Sequence, residues 1–271
     1  MTIRRAKKNW KKAKKTADEL KKIIKEQWNE DVLYDRFVTS ILGQAVKKSE
    51  YVFVSDLFKE QYIGGAELSL QVLIDECSGT KTTINSASLT EKMIDFNKDA
   101  TWGFGNIAQM KDEMVDFIAK SGINYHFVEF DYKFCEYRNP VLYSFLEEEE
   151  CDYASTKKGK LIQEFVKNSN KTFFMSDKQR DIYLNNFLEL DSDNLFVLSS
   201  LFNDKFFETI DQLNTNSKNT ERNKWVVLGS RSWVKGLKES EKWCKDNNLD
   251  YEIVSGLSHK DLLKKLSTSK G

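Results

Sequence analysis

From Tyr51 onward the chain alternates short β-rich runs with helix-length amphipathic runs, and this alternation constrains the fold more than any other feature. YVFVSDLF reads as a strand, GGAE as a turn, and the following stretch with Leu68, Leu70, Val72, Leu73 and Ile74 as a helix. TTINSAS and TWGFGNI read as strands, MKDEMVDFIAKSG as a helix ending at Gly122, and YHFVEFDY as a strand. KTFFMS, a helix from about Asp177 to Phe187, and NLFVLSS continue the series. Strands that alternate with helices predict an α/β fold with a Rossmann-like parallel sheet, whose ligands bind at the carboxyl ends of the strands.

Gly64 and Gly65 stand just past the first of those carboxyl ends, and the reading leaves two roles open. Without Cβ atoms they permit positive φ and close approach by an anionic or polyhydroxylated ligand, or they simply turn the chain tightly. The spacing is neither GxGxxG nor a P-loop, which weighs against a Rossmann dehydrogenase and a P-loop NTPase. A second strand, loop, helix, strand series follows in KWVVLGSRSWVKGLKESEKWCKDNNLDYEIVSG. Its loop carries Arg231 and Lys235, either as a grip on a diphosphate or as solvated surface. The polar stretch 214–223 reads as the boundary between the two series.

With 271 residues the chain has the length for one large domain or two ordinary ones, and its 42 basic side chains cancel 42 acidic ones. The cancellation hides an asymmetry. Residues 1–25 hold eleven Lys/Arg against Asp18 and Glu19, a local charge of +9 that leaves −9 on the remainder. Ile3, Ala6, Trp10, Ala13, Ala17, Leu20 and Ile24 form one apolar seam through this stretch, so it reads as a basic amphipathic helix. Three uses stay open: packing on the chain's own domain, contact with an anionic membrane surface or nucleic acid through residues 1–28, and a short coiled coil. No transmembrane segment is expected, since no apolar run approaches the roughly 18 residues a span needs. The N-terminus lacks a signal-peptide pattern, and the expected location is cytoplasmic or peripheral to a membrane. Cys77, Cys135, Cys151 and Cys244 are spaced as free thiols, and with only His126 and His259 as histidines no metal is expected. His126 is expected to pack in a strand.

GGAE after the first strand, the strand ending FDYKFC, the segment FFMSDKQRDIYLNNF and the loop LGSRSWVKG together resemble a retaining glycosyltransferase of the GT-B fold, of the group called family 4. The resemblance spans residues 49–271. It implies a helical extension over 1–48, an acceptor-side Rossmann-like domain over 49–220 and the beginning of a donor-side Rossmann-like domain over 221–271. It further implies sugar transfer from a nucleotide-sugar donor to an unidentified acceptor, without cofactor or metal. Gly64, Gly65 and Glu67 would then lie by the donor diphosphate or acceptor, and Arg231 and Lys235 would stabilise the leaving diphosphate. Where relatives carry His-Asp-Tyr, this chain has Phe130-Asp131-Tyr132, and Phe130 donates no hydrogen bond; Asp131 or Asn106 would serve the acceptor instead, the other role open to Asp131 being to cap a loop. The residues after VLGS are too few for a complete donor-side domain, so the expectation is a truncated glycosyltransferase. The alternative is a catalytically silent Rossmann-like nucleotide- or carbohydrate-binding module tethered by the basic helix to a polyanion.

Overall fold

The computed structural model describes residues 47–152, 155–218, 220, 222–229 and 236–270. The basic segment 1–28 and the pair Arg231 and Lys235 lie outside the described residues. Contacts group the described chain into two compact units, one of residues 47–58 and 73–199, the other of residues 59–72 and 200–270.

In the first unit, β1 (Tyr51–Ser55), β2 (Lys81–Asn85), β3 (Thr101–Phe104), β4 (Asn124–Glu129), β5 (Lys171–Phe174) and β6 (Leu195–Val197) form one parallel sheet. Its order is β2-β1-β3-β4-β5-β6. The connections run through α1 (Gly65–Glu76), whose residues 65–72 group with the second unit, and through α2 (Glu91–Phe96), α3 (Asp112–Ser121), α4 (Pro140–Glu147), α5 (Lys157–Lys167) and α6 (Asp177–Asn186). This is a Rossmann-like α/β architecture. Because β2 lies on one side of β1 and β3 on the other, the sheet reverses direction between β1 and β3, and that point opens a crevice at the carboxyl edge.

Strand composition follows position in the sheet. In central β1, Val52, Phe53 and Val54 are all buried, whereas edge strand β2 alternates buried Thr82 and Ile84 with exposed Lys81 and Thr83. Gly103 pairs with Phe53, and a Cβ on it would come within 2.9 Å of the phenyl ring, so this glycine makes room for its neighbour's side chain. Trp102, Phe104, Tyr125, Phe127 and Phe165 pack into one core with largely edge-on ring contacts. The Tyr125 hydroxyl donates to the Phe165 carbonyl at 2.6 Å.

Several expected boundaries shift for visible reasons. TTINSAS is strand only to Asn85; Ser86–Ser88 form a 3₁₀ turn, and the Ser86 hydroxyl donates to Asp56. The helix expected to end at Gly122 does so, with Gly122 left-handed at φ 71°. Helices α4 and α5 stand where no element is expected. Pro140 and the Asn139 cap open α4, while Thr156 caps α5, which buries Ile162, Phe165 and Val166. His126 lies in β4 as expected, beside Phe173. Gly64 and Gly65 do not take the positive φ that their missing Cβ atoms permit.

The second unit holds α7 (Asp204–Asn216), β7 (Trp225–Leu228), α8 (Leu237–Asp246), β8 (Tyr251–Val254) and α9 (His259–Ser267). β7 and β8 pair in parallel, α8 packs on β7, and α7 packs on α9. The polar stretch 214–223 is therefore no simple linker: residues 214–216 complete α7, and the chain passes from one unit to the other at residues 199 and 200. Among the described residues no helix is long and apolar enough to cross a membrane.

Candidate functional site

The carboxyl edge of the six-stranded sheet carries a chain of linked polar and charged side chains. At the β1/β3 reversal, Asp56 follows β1, and its carboxylate accepts from the Ala108 and Gln109 amides at 3.0 and 2.9 Å and from the Ser86 hydroxyl. Those backbone N–H groups are the ones an anionic ligand would use there. The protein's own carboxylate already fills that position.

One strand along, Asn106 and Asp131 follow β3 and β4, and Arg138 joins them. The Arg138 guanidinium donates to the Asn106 side-chain oxygen at 2.9 Å and to Asp131 Oδ2 through Nε at 2.6 Å and again through Nη2. Asp131 Oδ1 pairs with the Lys133 ammonium, and the Asp131 carbonyl accepts from Gln179 at 2.5 Å. Both carboxylate oxygens of Asp131 thus rest on cations. Arg138 holds the left-handed conformation at φ 55°, uncommon outside glycine, and this turn aims its guanidinium back at Asp131.

Beneath this cluster Glu129 is fully buried. It accepts from the Lys133 ammonium at 3.1 Å, from the Asp131 and Lys133 amides at 3.1 and 3.2 Å, and from the Tyr183 hydroxyl. Burial pushes its carboxyl up, and the Lys133 ammonium pulls against that shift. Tyr183, buried against the same carboxylate, is held well above its usual range. Lys133 is 2% exposed and bridges Glu129 to Asp131, so the two carboxylates share one buried cation.

A cleft of about 580 Å³ opens beside the cluster, lined by the loop after β3, the turn after β4, and the starts of α3 and α5. Five carboxylates, Asp112, Glu136, Glu149, Glu150 and Asp152, face three cations, Lys133, Arg138 and Lys158. Lys158 is itself paired with Asp112 at 2.7 Å. Ser155, Thr156, Phe134 and Tyr143 add hydroxyls and aromatic surface.

No protein-family model and no curated protein matches this chain.

Of the seven residues singled out in the sequence, five lie among the described residues, and of these Asn106 and Asp131 meet through Arg138. Gly64, Gly65 and Glu67 belong to the other contact unit. There Gly65 is the first residue of α1 with open space where a Cβ would project, and Glu67 is a buried acid in the helix's first turn. Gly64 is the crowded glycine: a Cβ on it would meet Glu67 Oε2 at 2.5 Å and the Tyr62 ring at 2.7 Å. Arg138, Lys133, Glu129 and Asp56 escaped the sequence reading. A lone acid inside the apolar run YHFVEF, with lysine four residues on, was the available signal for Glu129 and Lys133.

Proposed function

We propose that this chain takes part in glycosyl transfer, with the cleft beside Asn106, Arg138 and Asp131 receiving the acceptor saccharide. The composition of the cleft carries this reading. Carboxylates outnumber cations there, and hydroxyls and aromatic rings fill the remainder, which suits a polyhydroxylated ligand that both donates and accepts hydrogen bonds. A phosphate or diphosphate would meet net repulsion in the same place. Arg138 keeps donors beyond those used by Asp131 and Asn106, and it would meet an acceptor hydroxyl. Asp131, with both oxygens on cations, would hold that guanidinium in place rather than remove a proton.

The donor's diphosphate falls to Arg231 and Lys235 in this reading, which rests for them on the sequence resemblance alone. Their cations would stabilise charge that grows on the diphosphate as the glycosidic bond breaks. Sugar release is tested by incubating the chain with uridine- and guanosine-diphosphate sugars and neutral saccharides, and measuring the free nucleoside diphosphate. Arg231→Ala and Lys235→Ala should each lower the rate by roughly ten- to a hundred-fold, the loss of about 1.5–3 kcal/mol expected for one charge-assisted hydrogen bond. Lys238→Ala should leave it unchanged. No release from any donor, together with no calorimetric binding of uridine or guanosine diphosphate, overturns the reading.

A further inference from the structure

Cys135 and Cys151 line the same cleft, one from the turn after β4 and the other from the chain just beyond α4. Cys135 is buried in the core cluster, and Cys151, half-buried, packs against that cluster. The intervening segment, residues 136–150, contains α4 and Arg138. The Cys135 carbonyl accepts from the Arg138 amide at 2.9 Å, so the turn bearing this cysteine also sets the left-handed arginine that ties Asp131 to Asn106. The two sulfurs thus stand at the two ends of the segment that carries a central residue of the candidate site.

We propose that Cys135 and Cys151 are a modification site that closes to a disulfide on exchange with a small-molecule disulfide, bridging the cleft wall and fixing the 136–150 segment. The thiolate of one cysteine attacks a sulfur of the small disulfide, forms a mixed disulfide and expels one small thiolate, which takes up the proton lost by the attacking thiol. The second cysteine, losing its own proton, attacks the protein sulfur of the mixed disulfide and expels the second small thiolate, which is protonated in turn. Two protein thiols are oxidised to one disulfide while one small disulfide is reduced to two thiols.

Burial and the adjoining Cys135 push the Cys151 thiol up to about 12, so it is protonated at neutral pH. Exchange that starts from this sulfur is slow there and quickens by roughly tenfold per pH unit as the thiolate fraction grows. Cys77 and Cys244 have no cysteine neighbour in that cleft and serve as internal controls.

The test treats the full chain with oxidised glutathione at neutral and alkaline pH, blocks remaining thiols, and counts them after unfolding. Of the four cysteines, two should be lost together, and a digest should yield one peptide pair joined through Cys135 and Cys151. Hydrogen exchange over 136–150 should slow in the oxidised form and recover with a dithiol. Cys151→Ser and Cys135→Ser should each abolish the bridge, while Cys77→Ser and Cys244→Ser leave it. Should the buried Cys135→Ser fail to fold, the half-buried Cys151→Ser decides. The proposal is overturned by four free thiols after alkaline treatment, by glutathione adducts without the internal bridge, or by a bridge that includes Cys77 or Cys244.

Discussion

At the scale of single residues, the strongest constraint is the buried pair of Glu129 and Lys133, with half-buried Asp131 on the same cation. Replacing Lys133 by methionine leaves Glu129 buried without its cation, a loss of about 3–5 kcal/mol at neutral pH. The deficit should shrink on acidification. Burial already raises the Glu129 carboxyl above its ordinary value of 4.5, and in the variant no ammonium opposes it. A folded acid that holds its proton more tightly than the unfolded chain is stabilised below its raised value and loses that stability as pH rises through it. Urea midpoints of Lys133→Met at about pH 5 and about pH 7, compared with the parent, check this, and equal deficits at both values sink it. His126 has the opposite sign. Burial, aided by Lys171, lowers it from 6.5, and its Nδ1 has no hydrogen-bond partner among the described residues, so the unfolded chain takes the proton first. Stability from this residue is complete above 6.5 and is lost as pH falls below it; His126→Phe should flatten that slope in urea midpoints. Gly65 offers a third check. Open space surrounds its missing Cβ at the start of α1, so Gly65→Ala should stabilise slightly, by about 0.4–1 kcal/mol, through the unfolded chain. Loss of ligand binding at unchanged stability would instead restore the reading that a ligand approaches this backbone.

At the scale of elements, the two sheets differ in what covers them. β1 is flanked by β2 and β3 with both faces buried, whereas among the described residues β7 pairs with β8 alone, with Leu228 55% and Ile253 47% exposed. A two-stranded pair has little independent stability. Amide exchange in Val226–Leu228 should therefore be faster than in Val52–Val54, and equal protection would show that this pair has a cover not evident from its own side chains. The glycine after β7 has a local cause as well. A Cβ on Gly229 would come within 3.0 Å of Ile253 and 3.1 Å of the Val254 carbonyl, while its amide donates to that carbonyl at 2.7 Å. Gly229→Val should push β7 from β8 and speed exchange in both strands, whatever the adjoining loop binds.

At the scale of the whole chain, the apolar core is unevenly shared. The large cluster from Val52 to Leu195 lies within the first unit, and the second buries few large apolar side chains, Leu70 and Val227 among them. Since apolar burial supplies most of the folding free energy, the second unit should unfold at lower urea than the first. Trp102 lies in the first core, while Trp225 and Trp243 meet edge-on at 5.4 Å in the second unit. Fluorescence of Trp102→Phe should therefore lose amplitude from the later transition, and that of Trp243→Phe from the earlier one. A single transition with coincident probes would contradict this division.

The sequence by itself determined the α/β class, the parallel sheet and most element positions, because a strand's β-branched and aromatic runs and a helix's spaced apolar residues are local patterns. It determined the end of α3 at Gly122, since a left-handed C-terminal cap favours glycine. Helices α4 and α5 differ in legibility: α4 buries no residue, so no core contact marks it, whereas α5 is marked in the sequence by Leu161, Ile162, Phe165 and Val166 at helical spacing behind the Thr156 cap. Asn106 and Asp131 could be read as polar residues past strand ends. That Arg138 joins them, that Lys133 lies between two carboxylates, and that Asp56 occupies the sheet's reversal point were decided by tertiary structure alone. These contacts link residues brought together by parallel strand pairing, as when Asp56 meets the Ala108 amide at 3.0 Å, and no local spacing encodes a distance set by the order of strands in a sheet.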